Sequence, residues 1–530
     1  MEKLSCDILV IGSGAAGLRA AIAAREAGAE EVWVLSKSPP GLGTCTILSG
    51  GAFGGALGGL SREEHLARTI ESGRGINQSD LVEIFVSEAP ERIQELATWG
   101  MKMSVSRGFA MAQAAPPGFG REIIRVLMDR ARKIGVRFLS HLVVWKLTAD
   151  GDHGLGTLAY HGLKGTWTGI LSKAVVLASG GCGALYSRHD NPQRITGDGY
   201  ALALEAGAKL QDMEFVQFYA LATAEPGRPP VLILPTVADR GILLNNRGEN
   251  ILEKYHIIER PAAARARDRL AQALFRETGE AGRHVYLDLT KASGKDRPLE
   301  YLTAANWNYV ERLFQTDERP IRVSPVAHFV MGGISITPDA WTGIPGLFAA
   351  GEVTGGLHGA NRLGGNALSE CIVFGARAGM DAATWAEQNR RPFNEIRLAR
   401  VEELIPRFTP GSSFPSPLRD FKVRLRQIMW QHGGIFRDRA SLTEGLDRLR
   451  KVEEEVHGYR PRPVPLEVTR VLELRQGLVT ARVILEAALR REESRGAHSR
   501  TDFPEQDEKS KGRQIVSLSP QNRLQWSFLQ

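Results

Sequence analysis

Apolar runs that stop abruptly at glycine recur along the chain. Cys6 to Ile11 is apolar and leads into Gly12-Ser13-Gly14-Ala15-Ala16-Gly17; an alanine-rich stretch follows at helical period to about Ala27, and a second apolar run, EVWVLS, spans 31–36. That order predicts a strand, a glycine turn, a helix and a second strand, the βαβ unit. ILSKAVVLASGG at 170–181 and PGLFAAGEV at 345–353 also run into glycine, as buried parallel strands do when they enter tight turns. Between 215 and 328 this rhythm is lost: PGRPP at 226–230 precedes an Arg/Ala-rich helical run at 260–278. We read an inserted capping unit there. After about 384 the chain is polar and helical, over 424–456 and 466–493, with PRPVP at 461–465 as a hinge. The expected organisation is an α/β fold: a nucleotide-binding domain from 1–214 and 329–384, an α+β cap over 215–328, a helical C-terminal domain over 385–505, and a flexible tail at 506–530.

Composition narrows the class. No segment of the 530 residues approaches the ~18 apolar positions of a membrane span, and Asp7, Arg19 and the early glycines argue against a signal peptide. The four cysteines, Cys6, Cys45, Cys182 and Cys371, lie far apart, so their spacing suits neither a disulfide framework nor a metal or iron-sulfur cluster; a cytoplasmic location is expected. The net charge of +7 lies entirely from Trp385 onward. Its signs alternate without interleaved aromatics, which predicts a solvated helical surface rather than nucleic-acid binding.

The glycine turn carries the first chemistry. Gly12 permits the tight turn, Gly14 lets backbone approach a pyrophosphate, and Gly17 lets the helix pack against the strand, with the helix N-terminus facing the phosphates. The second strand ends in Ser36-Lys37, where an acidic residue usually holds a ribose. The glycine run GLGTCTILSGGAFGGALGG at 41–59 offers bare backbone to a flat ring system, which favours a flavin over a nicotinamide.

With these features stand LSK at 35–37, SGG at 49–51, TGDG at 196–199, DMEFVQF at 212–218, HFVMGG at 328–333, GLFAAGEV at 346–353, HGANRLGGN at 358–366 and ESRGAHSRTDFP at 493–504. Nearly end to end, the chain resembles the flavoprotein subunits of succinate dehydrogenase and fumarate reductase, together with L-aspartate oxidase. The resemblance implies a Rossmann-like FAD-binding domain with a mobile cap. It assigns Gly12, Ser13, Gly14, Ala15, Ala16 and Gly17 to the pyrophosphate, Ser36 and Lys37 to the adenosine side, and Thr44, Cys45, Thr46, Ser49, Gly50 and Gly51 to the isoalloxazine edge. Asp198, Glu352, Ala367 and Leu368 complete the cofactor shell. Where membrane-bound members carry the histidine that bonds covalently to flavin, this chain has Thr44, which implies noncovalent FAD.

The same resemblance places His328 and Arg362 on a substrate carboxylate, with Tyr219 and His358 in the pocket. The proton donor is an arginine of the cap, Arg267 in an Arg-Asp pair that opens a helix, or alternatively Arg260. Two departures bear on substrate: the family's QFH is Gln217-Phe218-Tyr219 here, and no Thr-Glu pair occurs around Leu234-Pro235-Thr236-Val237. The expected activity is hydride transfer between flavin and a small organic acid. Amino-acid oxidation in the manner of L-aspartate oxidase is an alternative, as is an electron-relaying FAD subunit without its own substrate. An iron-sulfur partner subunit is the implied electron route, and such a partner would hold the chain at the periphery of the inner membrane.

Overall fold

A computed structural model describes residues 1–114, 118–149, 155–279, 283–290, 292, 301–389, 395–406 and 418–529. Its centre is a seven-stranded sheet. Arg137–Leu139, Val32–Leu35, Glu2–Ile11 and Thr166–Leu177 run parallel in that order, with Ile8 opposite Val32 on one side and Ala174 on the other. Leu347–Ala349 extends the parallel set alongside Thr166–Leu177, and the antiparallel strands Leu155–His161 and Leu142–Ala149 finish the sheet. The runs read from the sequence as buried strands are these central ones, and Ile8, Leu9, Val10, Val175, Val176 and Leu177 are fully buried.

Two helices cover one face. Ala15–Glu26 leaves the glycine turn and packs along Asn366–Gln388. Their approach is close because small residues meet: a Cβ on Gly379 would lie 2.1 Å from the Ala20 carbonyl oxygen, and one on Gly375 2.7 Å from that of Ala16. The inserted unit is an antiparallel sheet in the order Val216–Thr223, Ile321–Val330, Val285–Asp288, Ile242–Asn245. The helix Arg267–Thr278 packs on it through Leu270, Ala271, Ala273 and Leu274.

The C-terminal helices Leu418–His432, Arg439–Gly458 and Pro465–Arg490 form an antiparallel layer, broken at Gly433-Gly434 and at the proline hinge. Much of their surplus charge is paired on the surface, as in Arg424 with Glu455 and Arg450 with Asp447.

One expectation is overturned. Residues 513–529 are no flexible tail: Arg513–Leu518 and Leu524–Leu529 form a hairpin, and its first strand pairs with Leu210–Gln211 of the nucleotide-binding domain. The reason is electrostatic as well as apolar. Arg491, buried, meets Glu214, Glu493 at 2.9 Å and Asp212 at 3.4 Å. Gln514 closes the cluster from the hairpin, donating from its side chain to Glu214 at 3.0 Å and from its backbone to Asp212 at 2.9 Å. Buried charges of this kind are tolerated only when every partner is present, so the hairpin is held by what it completes. The motifs at 212–218 and 493–504 therefore meet in one structural network.

Candidate active site

Gly12 has φ +121°, and a Cβ there would sit 2.1 Å from the Ala178 carbonyl oxygen; one on Gly17 would sit 2.0 Å from the Gly12 carbonyl oxygen. Both glycines are thus fixed by close backbone approach. Gly14 differs. A Cβ there would meet nothing nearer than Thr46 Oγ1 at 3.4 Å, and Gly14 has no side chain of its own to cap the helix start. That open backbone borders a cavity whose lining includes Gly12 to Ala16, Ser36 to Ser38, Gly43 to Thr46, Ala178 to Gly180, Asp198 and Glu352.

The polar groups around the cavity are arranged from several elements. Lys37 Nζ pairs with Asp198 at 2.7 Å and Glu473 at 3.4 Å, tying the strand end to a C-terminal helix. Thr46 Oγ1 accepts from the Ala15 N–H at 3.0 Å, and Thr44 caps the short helix Cys45–Leu48. Ser179 Oγ is a buried hydroxyl with no protein partner. Open backbone, an orphan hydroxyl and a cleft between glycine turns fit a dinucleotide. Ser49, Gly50, Gly51, Ala367 and Leu368 do not line this cavity, and Gly17 acts beneath it. Arg194, Ile195 and Cys371 do line it and were missed; they lie outside any glycine turn.

Glu352 stands at the boundary with the cap. Burial pushes its carboxyl up to about 8, opposed by the Val330 N–H, at 3.2 Å, and by the charge of Arg362. The group is neutral in the fold at pH 7 and charged in the unfolded chain above its usual range. Its stabilising contribution is therefore full at low pH and lost as pH climbs through about 8. The unfolding midpoint, followed by circular dichroism, is expected to fall between about pH 4.5 and about pH 8 and to level off above that, and to fall less in Glu352→Gln.

Beyond Glu352 two cations lie near each other with no carboxylate ion-paired to either among the described residues. Arg362 is buried; its guanidinium lies 4.5 Å over the Phe329 ring and donates to Gln217 Oε1 at 3.0 Å. Burial first, then Arg267, brings its pKa down to about 10. Arg267 opens its helix from Ala266, lies 5.8 Å over the Tyr219 ring, and points at Gly364, where a Cβ would be 3.6 Å from its Nη2. The Nε of each arginine is buried and unpartnered. A buried guanidinium beside a partly buried one, each with a free Nε donor, can hold an anion, and a planar fork suits a carboxylate.

His328 joins them from the cap strand. Its ring is 5.4 Å from that of Tyr219, and its Nδ1 lies 2.7 Å from Asp190 Oδ2. The Tyr219 hydroxyl donates to the Ile233 carbonyl at 3.0 Å, so the residue offers the pocket a ring rather than a polar end. His358 is turned elsewhere, buried and bonded to Glu370 at 3.0 Å. Arg260 is not brought to this group: it is half exposed, 3.6 Å from Asp239 and bonded to the Ile257 and Glu259 carbonyls. Gln217 and Asn361, inside quoted motifs, and Asp268, the acid of the Arg-Asp pair, were given no role of their own. Gln217 ties Arg362 to Asn361, which donates to Asp268 at 3.2 Å, so the loop and the cap helix hold one another.

Residues 7–368 match the family described as FAD binding domain, and residues 422–526 match the family described as fumarate reductase flavoprotein C-term. The chain belongs to the fumarate reductase and succinate dehydrogenase flavoprotein family. The fumarate reductase flavoprotein subunit of Mycobacterium tuberculosis is 34% identical, over 95% of this chain and 93% of its own. An L-aspartate oxidase of Caulobacter vibrioides is 34% identical over 94% of each. The solved E. coli quinol fumarate reductase chain superposes with a TM-score of 0.88 at 28% identity, covering 100% of this chain and 97% of its own. This family member is accordingly an FAD-dependent oxidoreductase acting on CH–CH groups. Among the described residues no helix is long and apolar enough to cross a membrane.

Proposed function

We propose that the enzyme interconverts an α,β-unsaturated organic acid and its saturated form, with the substrate carboxylate held by Arg362 and Arg267 cooperating as proton donor. The observation that carries this reading is the pair of arginines, Arg362 buried and Arg267 partly buried, each with a buried Nε that has no partner among the described residues, next to His328. FAD, when bound, supplies the two-electron step as a hydride. Arg362 binds and orients the carboxylate, drawing electron density toward it and away from the double bond. Arg267, lying over the Tyr219 ring, delivers a proton to the carbon that does not receive hydride. Asp268, whose carboxyl burial pushes up, is next to it in sequence as a relay. A second reading, oxidation of an amino acid, draws on the similarity to L-aspartate oxidase, with the same carboxylate contacts.

Tyr219 turns a ring toward the substrate, so an acid with an apolar or aromatic end fits the pocket as well as fumarate does. The test is anaerobic titration of the FAD-loaded chain, oxidised or reduced, with succinate, fumarate, L-aspartate and cinnamate while the flavin spectrum is followed. At least one acid is expected to change the flavin redox state; silence from all four sinks the hydride-transfer reading and leaves an electron-relaying subunit. Electrons are proposed to arrive through an iron-sulfur partner subunit. Thr44 has no nitrogen to bond flavin, so acid precipitation is expected to leave the yellow colour in the supernatant; a coloured pellet contradicts noncovalent binding.

A further inference from the structure

We propose that Arg194 is a cofactor-binding residue that closes on the adenosine half of FAD, and that Glu473, from the C-terminal helical domain, is its positioning residue. The inference takes the cavity beside the glycine turn as the FAD site and is independent of which acid is turned over.

In a strand-turn-helix nucleotide fold the end of the second strand meets the ribose. Here that end is Ser36-Lys37, and both side chains have spent their donors on protein. The Ser36 hydroxyl donates to the Ser38 carbonyl at 2.6 Å. Lys37 Nζ has three protons and three protein oxygens around it: Asp198 Oδ1 at 2.7 Å, the Arg194 carbonyl at 2.8 Å and Glu473 Oε1 at 3.4 Å. Arg194 lines the same cavity and reaches back to the strand end, its Nη1 donating to the Lys37 carbonyl at 2.7 Å. Its Nε donates to Glu473 Oε1 at 2.8 Å. Two sides of the guanidinium are thereby fixed, and Nη2 has no partner among the described residues. The Arg194 side chain is 36% exposed and that of Glu473 10%, so the cation stands at the cavity mouth with the anion behind it. A planar, charged fork with one free edge suits ribose and phosphate oxygens, and its face suits a purine ring.

Glu473 belongs to the helix Pro465–Arg490 and lies 279 residues beyond Arg194. By charge alone, a carboxylate at this place repels the anionic cofactor. A carboxylate that aims Arg194 does the reverse. Removing Glu473 therefore tightens FAD if only its charge matters and loosens FAD if it positions the arginine. Replacing the Arg194 side chain leaves Lys37 in place, because the ammonium holds the backbone carbonyl at that position.

The experiment titrates the full chain, stripped of flavin, with FAD and with FMN, which ends at the flavin-side phosphate; bound flavin is read by fluorescence. Arg194→Gln is expected to raise Kd for FAD about 10- to 100-fold, the loss of a charge-assisted contact, and Kd for FMN less than about 2-fold. Glu473→Met is expected to raise Kd for FAD about 3- to 10-fold, and to change it less than about 2-fold when added to Arg194→Gln. Glu473→Asp keeps the charge but shortens the reach, so it is expected to loosen FAD in the same direction. Native FMN affinity shows that each variant is folded. Native FAD affinity in Arg194→Gln, or an equal loss for FMN, overturns the binding role. Tighter or unchanged FAD in both Glu473 variants overturns the positioning role. The underlying reading fails separately: Gly14→Val places a side chain on the open backbone of the cavity, and native FAD affinity there removes the cavity assignment and the proposal with it.

Discussion

Arg267→Gln is expected to lower kcat by about 10²- to 10⁴-fold, the range lost when a positioned proton donor is removed, while KM for the acid moves much less. The glutamine keeps enough length to cover the Tyr219 ring but carries neither charge nor a transferable proton. The helix Arg267–Thr278 is anchored by Leu270 and Leu274, both fully buried, and Asp268 remains bonded to Asn361, so the cap stays in place. The flavin spectrum and the unfolding midpoint should therefore match the native protein. Stopped-flow reoxidation of the reduced flavin by the acid isolates the step; reoxidation at the native rate in this variant would falsify the donor assignment.

Arg362→Lys is expected to act differently, raising KM by about 10- to 100-fold, equivalent to the ~1.5–3 kcal/mol of one charge-assisted hydrogen bond, with a further fall in kcat. Lysine retains the charge but loses the fork, and with it the bond to Gln217 and the stack on Phe329. Equilibrium binding of the acid to the oxidised enzyme, read from the flavin spectrum, separates the binding loss from the rate loss. An unchanged dissociation constant would show that the carboxylate is held elsewhere.

Much of the fold could be read from the chain because its strands end at glycines whose conformation nothing else can adopt. Gly12, with φ +121° and a carbonyl in the way of any Cβ, is such a position. The site was legible where residues sit in dense motifs, as His328 and Arg362 do. It was obscure where a residue works through space from an unmarked loop. Asp190 lies in a stretch without periodicity or glycine signal, and only the fold brings it under His328. By sequence Arg267 stands first through its Arg-Asp pair, and Arg260 stays an alternative because the stretch before that pair aligns ambiguously; exposure and the Asp239 contact set Arg260 apart from the group. The hairpin at 513–529 was read as tail since its partner strand, Leu210–Gln211, is two residues long and its strongest tie is the buried Arg491 cluster.

That cluster also sets the order in which the molecule can be made. Glu214 and Asp212 emerge from the ribosome with the first half of the nucleotide-binding domain, yet their partners Arg491 and Gln514 lie 277 and 300 residues from Glu214 along the chain. At a synthesis rate of about 5–20 residues per second, the two carboxylates wait roughly 15–60 s for their counter-charges. Until then their contacts with Arg491 and Gln514 cannot form, so this tie between the nucleotide-binding domain and the hairpin is among the last long-range contacts the chain can make.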